Sequence, residues 1–362
     1  MDKYLAKALG EYGITETQVK NIEAFGGGHI NRTYRVITDD KVYLLQQINH
    51  KVFKNPEGLM DNFAKVTEYI KGKISEKGGD PERETLTVIK TVKGENFTVT
   101  ENGEYFRLLI FIDAISINES DDPKVLNSVA SGFGKFQNML AAYPAETLFE
   151  VIPDFHNTSK RYEAFEQAVS DNLSGRLDSV SEEIEYVRSM KDRIGVIVDG
   201  IADGSIPLRV THNDTKLNNA LFDKDTKECI CVIDLDTVMS GSYLYDYGDA
   251  LRFAGSSAAE DETDLARVYF DMEKFSAFTK GYLSEVKDVL CERELELLPF
   301  SVELMTFECG MRFLTDYLNG DTYFRIHYAD HNRDRARNQF KLSRDIDSKL
   351  DDMSKYIYEL IK

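Results

Sequence analysis

Val210-Thr211-His212-Asn213-Asp214-Thr215-Lys216-Leu217-Asn218-Asn219 and, shortly after it, Cys231-Val232-Ile233-Asp234-Leu235-Asp236 decide how this chain is read. The first stretch sets an Asp two residues after a His, a Lys two residues further on and an Asn three beyond that. The second is a β-branched, apolar run that ends in an Asp. Moving a phosphoryl group from a nucleotide to an alcohol needs these parts: a carboxylate to take the hydroxyl proton and oxygen ligands for the Mg²⁺ on the phosphates. Asp214 is the candidate base, and Lys216 would neutralise charge on the transferred group. Asn219 and Asp234 are the candidate Mg²⁺ ligands, since hard cations select oxygen and Mg²⁺ takes few of its ligands from protein. His212 and Asp236 are expected to support these residues from behind. A polar turn with Asp and Asn capping a helix explains any one of them, but not the whole constellation.

Working outward, Asp246-Tyr247-Gly248-Asp249 follows the second stretch. Either Asp246 or Asp249 is expected to brace the catalytic loop by accepting backbone N–H bonds, with a helix cap at Asp249 as the plainer alternative. Upstream, Phe25-Gly26-Gly27-Gly28-His29-Ile30-Asn31 lies between strand-like runs. It lacks the GK[ST] end of a Walker loop and the helix that follows a Rossmann loop. A surface hairpin and a turn folded over phosphates both fit three glycines; the downstream motif favours the second.

The rest of the first third reads as strands with one long helix. Runs at 33–37 and 42–48 flank a Thr38-Asp39-Asp40-Lys41 turn. Residues 56–75 carry apolar side chains at helical spacing, 85–91 and 97–100 are strand-like, and Asn102-Gly103 is a hairpin signal before 105–112. Thr15 with Gln18 and Ser179 with Glu182 read as capping boxes, the second expected to open a helix to about Val198. Asp122-Pro123 starts a helix, and the chain is mainly helical from there on. The fold class is therefore α+β: an N-terminal antiparallel lobe over 1–113 and a larger, mostly helical lobe over 114–362. The basic run Arg333, Arg335, Arg337, Lys341 and Arg344 reads as a solvated helix face.

Composition limits the function. The 362 residues carry 63 acidic and 44 basic side chains, a formal net charge of −19. Such a charge opposes broad binding to nucleic acid or to anionic membranes. No apolar run reaches membrane-span length, and the N-terminus lacks secretory-signal character. The cytoplasm is the expected location, with Cys229, Cys231, Cys291 and Cys309 as reduced thiols that pack as small hydrophobes. No protein partner is implied.

H-x-D-x-x-x-x-N, I-D-x-D and a G-G-G-x-x-N-x-x-Y loop together resemble the aminoglycoside phosphotransferase and choline kinase superfamily, whose fold is the bilobal protein-kinase-like one. Gly28-His29-Ile30-Asn31, Leu45-Gln46-Gln47, Ser205 to Asn219, Ile233 to Thr237 and Glu308-Cys309-Gly310-Met311-Arg312-Phe313 are most similar to the bacterial N-acetylhexosamine kinases. The resemblance implies ATP as co-substrate, Mg²⁺ as cofactor and the anomeric hydroxyl of N-acetylglucosamine or N-acetylgalactosamine as acceptor. It also implies sugar contacts at His29, Asp214, Arg312 and Tyr323, and a nucleotide side made by Gly27, Gly28, Asn31, Gln46 and Asp113. One departure stands out: where kinases of this plan place a strand Lys, this chain has Gln46, so Lys216, the glycine loop and Mg²⁺ must carry more of the phosphate charge. Two other readings fit the same motifs: a kinase for another small alcohol (aminoglycoside, choline or homoserine), and a nucleotide-binding pseudokinase.

Overall fold

The computed structural model describes residues 3–26 and 30–362. Gly27, Gly28 and His29 lie outside the described residues. The chain forms two compact units, one made of 1–117, 142–153 and 219–240, the other of 118–141, 154–218 and 241–362. Where the sequence suggested one crossing near Asp113-Ala114, the chain passes to the second unit after Ile117 and later returns to the first for two short segments.

The first unit opens with α1 (Lys3–Gly10), whose Leu5, Ala8 and Leu9 sit one helical turn apart and are buried. Strands β1 (Val19–Ala24), β2 (Arg32–Thr38) and β3 (Val42–Ile48) follow, then α2 (Pro56–Glu76) and the single turn α3 (Pro81–Glu84). Next come β4 (Val88–Ile89), β5 (Thr98–Val99), β6 (Tyr105–Ile110) and β7 (Ile115–Ser116). The sheet runs β1-β2-β3-β6-β4 with β5 also on β6, every pairing antiparallel. Side chains alternate across it. Val36, Leu45, Phe106 and Leu108 join α1 and Tyr12 in one apolar cluster, each large side chain contributing about 1.5–3 kcal/mol. Gln46 points the other way, in register with Thr33 on β2 and Arg107 on β6.

Local sequence explains most of these boundaries. Asn55 caps α2 by accepting from Gly58 N at 2.8 Å, with Pro56 in the first turn. Thr15 and Gln18 form the expected box, the Gln18 amide oxygen accepting from Thr15 N at 2.8 Å. Gly103 takes φ 77° in its turn, a region open to glycine at no steric cost. The strands expected at 85–91 and 97–100 shrink to two residues each, because only those residues find a ladder partner on β6.

In the second unit Asp122 caps α4 (Pro123–Leu140) as the sequence indicates, accepting from Lys124 N at 2.9 Å. Then come α5 (Thr158–Asp171), α6 (Ser181–Ser189), α7 (Val196–Asp203) and β8 (Arg209–Thr211). The single helix expected from Ser179 to about Val198 is two, α6 and α7. The chain turns between them, and Arg193 in that turn is drawn onto Glu303 and Asp347. The chain next supplies β9 (Ala220–Phe222) and β10 (Cys229–Val232) to the first unit, where they pair in the order β10-β9-β7. Helices α8 (Tyr243–Ala254), α9 (Met272–Val286), α10 (Glu292–Leu318), α11 (His331–Asp347) and α12 (Leu350–Ile361) complete the second unit.

Close helix crossings rest on glycine. A Cβ at Gly281 of α9 would stand 2.1 Å from the Asn127 carbonyl of α4, and one at Gly248 of α8 would stand 2.4 Å from the Ser301 carbonyl of α10. The basic run on α11 is not simply solvated: Arg337 pairs with Glu183 at 2.6 Å, and the Arg344 guanidinium lies 3.9 Å from the Tyr186 ring centroid. Among the described residues no helix is long and apolar enough to cross a membrane, and all four cysteines are free thiols.

Candidate active site

The loop that carries Asp214 leaves β8 in the second unit. Its bend falls at Asn213, which adopts φ 65°, a left-handed conformation that Asn tolerates better than most residues. Asp246 of α8 holds the bend. Its carboxylate accepts from His212 N at 2.9 Å, Asn213 N at 2.7 Å and the Gln137 amide at 2.8 Å. Its own carbonyl accepts from the Thr215 hydroxyl at 2.6 Å. Burial pushes the Asp246 carboxyl above the ordinary range, against the pull of His212 and these donors.

The brace expected of Asp246 or Asp249 is thus made by Asp246. Asp249 instead accepts from Arg252 Nε and Nη2 at 3.0 and 2.9 Å. Burial would raise its carboxyl, but Arg252, Lys216 and His156 outweigh it and hold Asp249 below the usual range.

His212 is fully buried, edge-on to Phe133 and Phe136, and its Nδ1 accepts from Asp214 N at 3.3 Å. It therefore sets the backbone from which Asp214 projects. Lys216 Nζ lies 2.7 Å from Asp214 Oδ1. Burial would lower the Lys216 pKa, but Asp214 and Asp249 carry it above its ordinary value, so the ammonium stays charged. Lys216 also faces a cavity of about 570 Å³ in this unit, walled by Phe133 and Phe278 and edged by Arg252, Glu260 and Lys274.

Arg312 and Tyr323 come together elsewhere in the second unit. Arg312 projects from α10 amid three aromatic rings, with its guanidinium carbon 5.7 Å from the Phe155, 5.9 Å from the Tyr323 and 5.5 Å from the Phe324 ring centroids. Tyr323, in the loop after α10, is 71 % exposed. Arg161 Nη2 donates to the Phe155 carbonyl at 3.0 Å; burial and then Arg312 lower its pKa. Next to Phe155, His156 meets Glu308 at 3.0 Å through Nδ1, while its buried Nε2 has no hydrogen-bond partner among the described residues. Burial opposes ionisation of Glu308, but His156, Thr158 and Arg312 hold it below the usual range. No local pattern points to Arg161 or His156. Glu308 lay inside a noted motif, but without a role.

In the first unit, Asn219 and Asp234 stand at the same end of the β9–β10 pair, tied by Ile233 N donating to the Asn219 carbonyl at 2.9 Å. Asp234 adopts φ 60°. Asn219 is buried. Two oxygen-bearing side chains at one strand end fit Mg²⁺, which completes its shell with phosphate and water. Among the described residues there is no cluster of three or more His, Cys, Asp or Glu suited to a metal.

Of the expected nucleotide-side residues, Asn31, Gln46 and Asp113 are among those described, and each has partners within this unit. Asn31 donates to Asp236, and Gln46 spends its amide on Arg107 and Thr33. Asp113 pairs with Lys224 at 2.6 Å, which holds its carboxyl below the usual range. Arg107 was overlooked in the sequence, although a charged residue within the apolar run Tyr105–Ile110 was a visible signal.

These features define a small-molecule phosphotransferase of the kinase-like fold. The phosphotransferase enzyme family model matches residues 21–278, and the chain belongs to that family. Among solved structures it is similar to a microcompartment-associated aminopropanol kinase: 15 % identity, 97 % of this chain and 98 % of that one, TM-score 0.62. A choline kinase from Cryptosporidium parvum matches at 13 % identity over 94 % and 92 %, TM-score 0.59. A spectinomycin phosphotransferase in complex with ADP and spectinomycin matches at 14 % identity over 96 % and 98 %, TM-score 0.56. At these identities the likeness establishes the fold.

Proposed function

We propose that this chain is an ATP-dependent kinase that phosphorylates the anomeric C1 hydroxyl of N-acetylhexosamines. Asp214 orients the hydroxyl and takes its proton as the C1 oxygen bonds to the γ-phosphorus. The bond from that phosphorus to the bridging oxygen breaks in line, and ADP leaves with the electron pair. Lys216 offsets charge on the moving phosphoryl group. Asn219 and Asp234 would hold Mg²⁺, which when bound neutralises the phosphate oxygens.

The observation that carries the acceptor class is Arg312. Among the described residues it makes no hydrogen bond or ion pair, and it stands among aromatic faces near a second guanidinium, Arg161. The two guanidiniums outnumber the one buried carboxylate beside them, Glu308, and their N–H donors favour hydroxyl and amide carbonyl oxygens over a cationic acceptor such as choline, aminopropanol or an aminoglycoside. Tyr323 adds a ring face suited to a sugar.

ATP consumption with N-acetylglucosamine, N-acetylgalactosamine, choline, aminopropanol and an aminoglycoside tests this, with phosphorus NMR of the product. Turnover on a hexosamine giving an anomeric phosphate is expected. Turnover confined to the amines would overturn the acceptor, and no turnover on any of them would leave a nucleotide-binding pseudokinase.

A further inference from the structure

Arg107 is 1 % exposed, in the middle of β6. A guanidinium so buried is costly unless its donors are matched. Two of its nitrogens are: Nε donates to Gln46 Oε1 at 2.8 Å and Nη1 to Asp236 Oδ1, while the group lies 4.3 Å from the Phe63 ring centroid of α2. The other Asp236 oxygen accepts from the Asn31 amide. Asn31 in turn accepts from Asn49 N at 2.9 Å, and Asn49 donates to the Ile30 carbonyl at 3.2 Å. One unbroken chain of contacts therefore runs from β6, through the residue two positions after Asp234, to the residues that follow the glycine run.

We propose that Arg107 is a positioning residue for nucleotide binding, acting through Asp236 to fasten Asn31 against the loop that carries Asp234. The inference rests on the kinase reading above. β3 offers Gln46 where a cation is expected, and the charge stands instead on the register partner of Gln46, Arg107. That charge is spent on Asp236. Both Asp236 oxygens are thereby engaged in this chain of contacts. The segment after the glycine run is set before nucleotide arrives, so less ordering cost falls on binding.

The test is calorimetric binding of ADP with Mg²⁺, which needs no acceptor, to the parent, Asn31→Ala, Arg107→Lys and the double variant. Each single change is expected to weaken binding roughly 5–20-fold, within the range of coupled contacts, and the double variant to be no more than about twofold worse than the weaker single. Variants all within twofold of the parent, or losses that multiply in the double, would overturn the inference. Melting curves report on folding. If Arg107→Lys does not fold, Asn31→Asp decides: a second carboxylate against Asp236 should bind worse than Asn31→Ala, and equal affinities overturn the inference. A parent that binds no MgADP removes the kinase reading and this inference together; a binding parent with indifferent variants removes this inference alone.

Discussion

The Asp246 carboxylate accepts the His212 backbone N–H at 2.9 Å, across 34 residues of sequence. With Asn213 N also bound, one buried side chain from α8 fixes the bend that presents Asp214. Asp246→Ala strands two buried N–H groups, at about 1–3 kcal/mol each. Urea unfolding of this variant should show a loss of about 2–6 kcal/mol. Asp246→Asn keeps one acceptor oxygen and should lose about half of that; equal stability of parent and Ala variant would contradict the brace.

Asp214→Asn should lower turnover by ~10²-fold or more, on the scale of general-base catalysis, while ADP affinity stays within about twofold. The Asn side chain keeps the shape but cannot take the proton. Single-turnover kinetics beside a binding isotherm separates the two effects, and near-parental turnover would refute the assignment.

Asp234→Ala should abolish Mg²⁺-dependent turnover, and Asn219→Ala should weaken it, with partial rescue at raised Mg²⁺. Both offer oxygen from the same end of the β9–β10 pair. Titrating Mg²⁺ at fixed ATP checks this; curves that superpose on the parent's would remove the metal role.

Arg312→Ala should cut kcat/KM for N-acetylhexosamine by ~10–100-fold, about 1.4–2.8 kcal/mol of transition-state binding, and leave the KM for ATP nearly unchanged. A site built to hydrogen-bond a polar substituent loses most when that bond is lost. Tyr323→Ala should have a smaller effect of the same kind, because Tyr323 is exposed. Steady-state kinetics with each substrate varied provides the check; an effect confined to ATP would displace the acceptor site.

Glu303 sets a pH dependence of stability. Burial raises its carboxyl from 4.5 to about 7, with Arg193 opposing and Asp347 adding to the rise. Because the folded state holds the proton more tightly, this contribution is present below about pH 4.5 and is lost as pH rises through about 7. Glu303→Gln, which cannot ionise, should therefore lose less melting temperature than the parent between pH 5 and 8. Parallel slopes would place the titration elsewhere.

The sequence by itself determined what lies close along the chain. The spacing of His212, Asp214, Lys216 and Asn219, the Asp234 strand end, the caps at Thr15, Asn55 and Asp122, and the hairpin turns all follow from local backbone chemistry. Tertiary structure decided which distant groups those residues meet. It chose Asp246 over Asp249 as the brace, since the Asp246 carboxylate accepts the His212 and Asn213 N–H groups while Asp249 accepts from Arg252. It placed Arg107 beside Gln46, through strand register that no local pattern encodes. It put a turn at 191–195 in the helix expected from Ser179, with Arg193 paired there to Glu303 and Asp347, and it brought both Arg161 and Arg312 to Phe155, one at its carbonyl and one at its ring. Burial, and with it the strength of every charge interaction, is a property of the packed chain. That is why the His212-to-Asn219 motif was readable in one dimension while the groups that position it were not.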